Sequence, residues 1–496
     1  MKALLFFVIV PLAGAFLIAI FRKRPNNFSD IIVNLAALSL TVLSLYCMKL
    51  VNSHKIIAYK IGGWLPPLGI SLVLDGLSGL MLVIVNLVVF LVMIYALRYM
   101  QSYTDKWKFH ALFMLMLAGM NGVILSSDLF NLYVFLELAS ICGYALVAFG
   151  TEAESLEASF KYLIMGAVAS IFILLGIVLI YSYVSTLNMA DISLALSDKP
   201  RGVLIGFVSV LFLAGFGLKA ALVPFHSWLP DAHSSAPTPV SAVLSGVFIK
   251  TLGIYALARI FFNVLGVSKE ILFALMVLGI LSMVVGAFLA IAQNDIKRMF
   301  AYSSISQVGY IIFAFGIATP LAVLGGLFHL FNHAIFKSLL FLNAGAIEYS
   351  TGRRDLRKLG GLSNKLPVTG ATSLLGSMSI SGIPPLGGFW SKLIIIVASV
   401  QAGYIGFAVV AVLVSIVTLA YYLKFQAFAF FAPIDEALNK IKDIPATMKL
   451  SMVVLAGICV IAGLMLIPSF RPVLTGAADV LLSGVEYKYA FLSAIK

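Results

Sequence analysis

Long apolar runs separated by short polar gaps are the feature that most constrains how this 496-residue chain can fold. A transmembrane helix needs about 20 consecutive apolar residues to cross a hydrocarbon core about 30 Å thick. Runs of that length, numbered here as spans 1 to 14, occur at about 3–21, 30–51, 74–97, 107–126, 129–150, 157–184, 202–229, 239–262, 268–292, 300–318, 321–347, 368–400, 403–430 and 447–468. The sequence therefore predicts an all-α polytopic membrane protein with about 14 transmembrane helices, in which residues 1–496 form a single membrane domain.

The composition agrees with this class and excludes a soluble globular protein. Apolar residues make up 62% of the chain and charged residues 11%, whereas soluble domains carry about a quarter charged residues. The net charge is +13, but Lys and Arg cluster between the apolar runs, which indicates membrane topology and not nucleic-acid binding. Outside the spans we predict only a small surface hairpin in segment 52–73, followed by Asp75 as the N-cap of span 3.

The distribution of Lys and Arg among the gaps predicts the orientation of the chain in the membrane. Odd-numbered gaps hold more of these residues, for example Arg22, Lys23 and Arg24 after span 1 and Lys440 after span 13. By the positive-inside rule these gaps face the cytoplasm, so both termini lie outside a prokaryotic cell membrane. We expect the first run, 3–21, to be retained as a helix, because it is too long for a signal peptide and has no cleavage site.

Two parts of the chain carry similar motifs. The matching residues are 166 or 167 positions apart, except for Lys161 and Lys337, whose offset is larger. The matching pairs are Asp128 and Asp295, Gly143 and Gly309, and Tyr144 and Tyr310, and in the next span Lys161 matches Lys337. In each set a proline-interrupted span follows, at Pro224 in span 7 and at Pro384 and Pro385 in span 12. We predict two five-helix repeats, 107–262 (spans 4–8) and 268–430 (spans 9–13). Because five is odd, the second repeat enters the membrane from the opposite face, an arrangement typical of ion-coupled transporters.

We single out four charged side chains inside the spans. Glu137 is near the centre of span 5, Lys219 is near the centre of span 7, Lys250 is at the centre of span 8, and Lys392 lies beyond the prolines of span 12. Each charge costs roughly 2.5–3.5 kcal/mol at the membrane centre, which argues against a role in packing alone. We interpret them as proton carriers, because burial and a nearby carboxylate shift a lysine between its charged and neutral forms. The alternatives are a structural ion pair between Glu137 and Lys219 and a snorkelling lysine at Lys250.

His329, His333 and Lys337 are spaced four residues apart on span 11, so they share one helix face. We predict a proton relay there, because the ordinary pKa of histidine lies near neutrality. The alternative is a haem or metal site, which is less well supported because no Cys or carboxylate partner accompanies the two histidines. The three cysteines stand alone in apolar runs, and we predict no metal and no cofactor.

Two long motifs carry a resemblance to a known family. They are Phe225-His-Ser-Trp-Leu-Pro-Asp-Ala-His-Ser-Ser-Ala-Pro-Thr-Pro-Val-Ser-Ala, which leads to Lys250, and Phe328-His-Leu-Phe-Asn-His-Ala-Ile-Phe-Lys-Ser. With them, nearly the whole chain resembles the antiporter-type subunits shared by complex I and the Mrp cation/proton antiporters. The resemblance implies fourteen helices, broken helices 7 and 12, and a Glu–Lys pair that would be Glu137 and Lys219. It also implies a central relay through Lys250, the histidines of span 11 and Lys392.

Within this family the chain resembles most the D-type chain of the Mrp antiporters, since Lys392 stands where one type of complex I subunit has Glu. The resemblance implies a proton-translocating subunit of a multisubunit Na⁺/H⁺ antiporter, whose partners are other integral membrane subunits, protons, Na⁺ and lipid. The alternative is the related pumping subunit of a membrane-bound hydrogenase or a complex I-type respiratory complex. We expect no catalytic chemistry of the chain's own in either assembly. A purely structural scaffold is a third possibility, and it predicts that each intramembrane charge is paired and dry.

Overall fold

The structure is a computed structural model, which describes residues 2–23, 26–197, 202–433, 438 and 441–495. In this part of the chain, twelve helices are long and apolar enough to cross a membrane. Two shorter apolar helices, Val203–Lys219 and Gly387–Gln401, lie beside the proline interruptions of spans 7 and 12. The predicted class, an all-α polytopic membrane protein, is confirmed. Arg24 and Lys440, which entered the topology prediction, lie outside the described residues.

The helices follow the predicted spans in order. The first half contains α1 (Ala3–Ile20), α2 (Asn26–His54), α3 (Gly76–Tyr99), α4 (Lys106–Leu125), α5 (Leu129–Val147), α6 (Ala153–Val184), α7 (Met189–Ser197), α8 (Val203–Lys219), α9 (Trp228–Ser235), α10 (Thr238–Val243) and α11 (Ala256–Ala258). The second half contains α12 (Lys269–Ile291), α13 (Ile296–Ile317), α14 (Pro320–Thr351), α15 (Leu362–Lys365), α16 (Pro367–Ser381), α17 (Gly387–Gln401), α18 (Ile405–Gln426), α19 (Ala446–Ile461), α20 (Arg471–Leu482) and α21 (Tyr487–Ile495).

The predicted hairpin is present before α3. Strands β1 (Ile57–Lys60) and β2 (Ser71–Leu74) pair antiparallel, with Ile57 opposite Leu74. All four residues of β2 are buried, so the hairpin lies at the surface only in part. Asp75 caps α3 as predicted: its carboxylate accepts from the Ser78 amide at 2.9 Å, and the Ser78 hydroxyl accepts from the Asp75 amide at 2.7 Å. This reciprocal pair of bonds is a capping box.

Two helices are interrupted where the sequence places proline inside a span. α8 ends at Lys219 and α9 begins at Trp228, with Pro224 between them, while α16 ends at Ser381 and α17 begins at Gly387. Proline has no amide hydrogen and clashes with the carbonyl four residues earlier, which breaks the helix. Such breaks are tolerated at membrane depth only where surrounding protein or water satisfies the freed backbone groups.

The eighth span is wound largely as π-helix. Its π-helical segments are Leu244–Phe248, Lys250–Tyr255 and Arg259–Leu265, and every residue of all three is buried. A β-carbon on Gly253 would lie 2.6 Å from the α-carbon of Ala220, so this span packs directly against the break after α8. π-Helical turns are rare and are found mostly at functional sites.

Some contacts recur at the offset seen in the sequence. Asp128 caps α5 and forms an isolated bridge to Asn188, while Asp295 caps α13 and bridges to Asp355. Both members of the second pair lie 167 residues after those of the first. Each bridge encloses two helices, α5 and α6 or α13 and α14, and the second helix of each set, α6 or α14, has 32 residues. The repeats 107–262 and 268–430 stay a prediction.

Some gaps between spans contact one another. The Leu72 to Ser126 bridge and the Asp128 to Asn188 bridge join even-numbered gaps. Near the odd-numbered gaps, Arg298 and Lys161 both contact Asp231, at 2.7 and 3.0 Å. The orientation of the chain in the membrane stays a prediction.

Four of the described helices lie outside the predicted spans: α7, α15, α20 and α21. They have 9, 4, 12 and 9 residues, too few to cross a hydrocarbon core, so a search for apolar runs of spanning length does not find them. α20 packs against α3 so closely that a β-carbon on Gly76 would lie 2.4 Å from the Gly476 carbonyl oxygen.

Candidate functional site

The first charged cluster lies between α5, α6 and α8, at the end of the first broken helix. Lys219 is the last residue of α8 and is 4% exposed. Its Nζ lies 3.5 Å from Oε1 of Glu137 and donates to the Ser140 hydroxyl at 2.9 Å. The Ser170 hydroxyl donates to the same carboxylate oxygen of Glu137. The structure therefore brings Glu137 and Lys219 together as a partly buried ion pair whose members are also held by hydroxyl groups.

Lys250 lies in the π-helical part of the eighth span and is completely buried. Its Nζ donates to the backbone carbonyl of Ser245. The Ser245 hydroxyl in turn lies 2.6 Å from the Ser304 hydroxyl on α13. A snorkelling lysine would reach toward a membrane surface, whereas this side chain points into the bundle.

His329, His333 and Lys337 lie on one face of α14, as predicted, and all three are completely buried. The two imidazole rings are stacked with centroids 6.3 Å apart, and Nδ1 of His329 lies 2.9 Å from the Ser391 hydroxyl on α17. Nζ of Lys337 donates to the Phe300 carbonyl at 2.7 Å and to the Tyr422 hydroxyl at 3.2 Å. This face therefore contacts both α13 and the second broken helix.

The second broken helix holds Lys392 on α17, 3% exposed. Its Nζ donates to the Ile380 carbonyl at 2.8 Å and to the Ser415 hydroxyl at 3.2 Å. The ammonium also lies 5.0 Å from the centre of the Tyr310 ring, a distance at which a cation is attracted to an aromatic face. Lys392 thus sits at the break itself, with oxygen atoms and an aromatic ring around it.

Polar groups lie between Lys337 and Lys250. The Phe300 carbonyl, which accepts from Lys337, also accepts from the Ser304 hydroxyl at 2.9 Å. Ser304 contacts Ser245, whose carbonyl accepts from Lys250. Each lysine thus donates to a backbone carbonyl, and two serine hydroxyls lie between these carbonyls. A carbonyl oxygen has no hydrogen to pass on, so a proton relay between the two lysines would also need water.

We call the buried side chains of Lys219, Lys250, His329, His333, Lys337 and Lys392 the buried row. Several buried polar atoms in the bundle have no protein partner among the described residues: both ring nitrogens of His333, Nε2 of His329, both ring nitrogens of His233 and both side-chain polar atoms of Gln307. Buried polar groups nearly always form hydrogen bonds, and internal water satisfies those that protein groups do not reach. Water would complete the hydrogen bonds of these atoms.

One buried ion pair was not anticipated from the sequence. Arg259, in the eighth span, contacts Asp75 at 2.8 Å, and the Tyr487 hydroxyl of α21 also donates to Asp75. Both charged side chains are buried, at 6% and 0% exposure. An arginine inside an apolar run is the available signal, but the sequence predicts Asp75 as a cap alone. Asp75 performs both tasks, and the pair ties α3, the eighth span and α21 together.

No group of three or more His, Cys, Asp or Glu side chains that could hold a metal occurs within the described ranges. The candidate site consists of the oxygen and nitrogen atoms around Glu137, Lys219, Lys250, His329, His333, Lys337 and Lys392. Its chemistry is that of cations and protons held at membrane depth by hydroxyl, carbonyl and imidazole groups. A multi-pass helical bundle with two broken helices and such a buried row belongs to the general class of ion-translocating membrane proteins.

Comparison with known families is more specific. Residues 126–418 match the family described as NADH:quinone oxidoreductase/Mrp antiporter, TM. Residues 64–110 match the family described as NADH-Ubiquinone oxidoreductase (complex I), chain 5 N-terminus. The chain belongs to this family of complex I and Mrp antiporter membrane subunits, as the sequence motifs predicted.

Individual relatives come from both branches of the family. The chain is 37% identical to the N-type chain of the NADH-quinone oxidoreductase of Desulforudis audaxviator, over 82% of this chain and 84% of that protein. It is 33% identical to the D-type chain of the Na(+)/H(+) antiporter of Alkalihalophilus pseudofirmus, over 96% of both chains.

Two solved structures are similar over almost the full length. A chain of the Mrp complex from Dietzia sp. DQ12-45-1b superposes with a TM-score of 0.91 at 26% identity, covering 100% of this chain and 99% of that one. A chain of the membrane-bound sulfane sulfur reductase, an archaeal respiratory membrane complex, superposes with a TM-score of 0.90 at 30% identity, covering 99% of both.

Proposed function

We propose that this chain is the proton-translocating subunit of a multisubunit Na⁺/H⁺ antiporter. The observation that carries the proposal is the row of buried basic side chains that runs from Lys219 through Lys250 to Lys392, between two broken helices. Four intramembrane charges would cost the fold too much as packing residues. Relatives named for Na⁺/H⁺ antiport and for the Mrp complex cover nearly the whole chain, which supports the same function.

In the proposed mechanism, Glu137 and Lys219 form a switchable pair at one end of the row. When the carboxylate is close, it favours the charged form of the lysine, and when its influence is withdrawn, burial favours the neutral form. Protons then pass along Lys250, the α14 residues His329, His333 and Lys337, and Lys392. Hydroxyl groups and internal water bridge the gaps between these side chains.

We further propose that the protein lies in a prokaryotic cell membrane with both termini outside and the odd-numbered gaps in the cytoplasm. Lys and Arg predominate in those gaps, and the contacts of Asp231 with Lys161 and Arg298 support a shared face for several of them. Other integral membrane subunits are its proposed partners, because the related chains named above come from complexes.

A second candidate is an ion-pumping subunit of a respiratory complex. It is favoured by the similarity to a chain of an archaeal respiratory membrane complex and to an NADH-quinone oxidoreductase chain. The row of buried charges serves proton movement equally well in this assembly. The two candidates differ in what drives the protons: a cation gradient in one and electron transfer in the other.

The assembled complex, purified with its native partners and reconstituted in vesicles, tests both functions. An antiporter dissipates an imposed pH gradient when Na⁺ is added, without any electron donor. A respiratory complex acidifies or alkalinises the lumen only when a donor and acceptor are supplied, and its purified partners include redox subunits. Vesicles that respond to neither treatment would contradict the proposal in both forms.

A further inference from the structure

The break between α16 and α17 leaves two carbonyl groups without their helical donors. In a continuous helix the carbonyls of Ile380 and Ser381 would accept from the amides of residues 384 and 385. Both of those residues are proline, which has no amide hydrogen. The preceding turn is closed instead by Gly382, whose amide donates to Ser379 O at 3.1 Å. Two carbonyl oxygens at the negative end of the α16 dipole are therefore free to bind something else.

Those two carbonyls belong to a cluster of oxygens around the Lys392 ammonium. Ile380 O accepts from Lys392 Nζ at 2.8 Å, and Ser381 O accepts from the Ser415 hydroxyl at 3.1 Å. The Ser415 hydroxyl also accepts from Nζ at 3.2 Å. The Ser381 hydroxyl is buried and has no protein partner among the described residues. We call the three hydrogen-bonded oxygens, Ile380 O, Ser381 O and Ser415 Oγ, the proline-break site.

The ammonium in this site differs from its counterpart at the other break. Both lysines lie next to a tyrosine. Nζ of Lys219 is 3.5 Å from the Tyr144 hydroxyl, and Nζ of Lys392 lies over the Tyr310 ring. These two tyrosines are 166 residues apart. At the same offset from Glu137 the sequence has Ser303. Lys219 therefore has a carboxylate partner, whereas no described carboxylate pairs with Lys392, which is held by neutral oxygens only.

A groove of about 270 Å³ leads to the site. Lys392, Ser381 and Ser415 lie on its wall, together with Ile383, Phe389 and Val412. One water occupies about 30 Å³ in the liquid, so the groove has room for a small ion beside the lysine side chain.

We infer that the proline-break site is a binding site for a small monovalent cation, which competes with the Lys392 ammonium for the same oxygens. Unpaired carbonyls and the C-terminal ends of half-helices are the groups that hold Na⁺ in transporters with broken helices. Divalent ions prefer carboxylate ligands, and the site has none. The inference rests on the proposed function for the identity of the transported ion. It extends that function by giving the ion a place to bind when the Lys392 side chain has moved away.

Equilibrium binding of ²²Na⁺ to the assembled complex in choline buffer tests the site. Lys392→Met removes the competing ammonium, and we expect one more saturable Na⁺ per complex than in the wild type at millimolar concentrations. Adding Ser415→Ala removes one oxygen and should weaken that binding about tenfold. Lys250→Met is the matched control, because it also removes a buried ammonium but exposes no proline-freed carbonyls.

A second measurement uses the wild-type complex, in which Lys392 is unchanged. There the site should fill only at a Na⁺ concentration at least about tenfold higher, because the ammonium competes, and Ser415→Ala alone should weaken this binding about tenfold further. The inference is wrong if Lys392→Met binds no more Na⁺ than Lys250→Met, or if Ser415→Ala changes nothing in either background. Antiport in vesicles is scored separately, so Na⁺ binding without antiport would refute the proposed function and leave the site standing.

Discussion

The contact between Glu137 and Lys219 allows a quantitative prediction. At 3.5 Å between Nζ and Oε1, two unit charges attract by about 5 kcal/mol at an effective dielectric constant of about 20. Loss of one partner from a buried pair costs about 3–5 kcal/mol. The Glu137 side chain is 26% exposed, so we take the lower end, about 3 kcal/mol.

If Glu137→Gln removes this stabilisation from the translocation step, transport should slow by about 100-fold, because each 1.4 kcal/mol is a factor of about ten. Glu137→Asp shortens the side chain and lengthens the pair to about 5 Å, which keeps about two thirds of the attraction. A loss of about 1 kcal/mol then corresponds to a rate about fivefold lower. Transport rates that fall in the order wild type, Glu137→Asp, Glu137→Gln would show that the carboxylate acts by a distance-dependent charge interaction.

The assay is dissipation of a pH gradient in everted vesicles after Na⁺ addition, with the amount of assembled complex measured on native gels. Glu157→Gln is the control, because Glu157 forms a surface pair with Lys161 at 2.8 Å and is 68% exposed. Such pairs contribute about 0–1 kcal/mol, so transport should remain near normal. Near-normal transport by Glu137→Gln in fully assembled complex would refute the reasoning.

Three further predictions follow from single contacts. Arg259→Leu leaves Asp75 buried without its partner, which should destabilise the complex by about 3–5 kcal/mol and lower its melting temperature. Gly388→Ala would place a β-carbon 1.8 Å from the Ser379 carbonyl oxygen, so we expect little assembled protein in the membrane on immunoblots. Lys250→Ala should assemble normally but abolish Na⁺-driven proton movement at every pH tested in vesicles, because it interrupts the row of buried basic groups.

Matched variants separate these effects from general damage. Adding Asp75→Asn to Arg259→Leu should recover part of the lost stability, since no buried charge is then left unpaired. Gly457→Ala should be tolerated, because nothing lies within 4 Å of a β-carbon there. Equal destabilisation of the double and single Arg259 variants, failure of Gly457→Ala to assemble, or antiport by Lys250→Ala would contradict the respective prediction.

Much of the fold was determined by the sequence through local rules. The length of each apolar run fixes a membrane span because the bilayer has a nearly constant thickness. Asp75 and Ser78 form their cap within four residues, and Pro224, Pro384 and Pro385 end helices because they lack an amide hydrogen. The i, i+4 spacing of His329, His333 and Lys337 on one face likewise follows from helix geometry alone.

Other features depend on residues that are far apart in the chain. Arg259 meets Asp75 across 184 residues, and α21 adds Tyr487 to the same pair. The groups around Lys392, which are Ile380, Ser415 and Tyr310, come from three different helices. Sequence periodicity reports which face of a helix is apolar, but it carries no information about which neighbour that face meets. Only the packing of the helices decides which buried charge receives a carboxylate and which receives the free carbonyls of a broken helix.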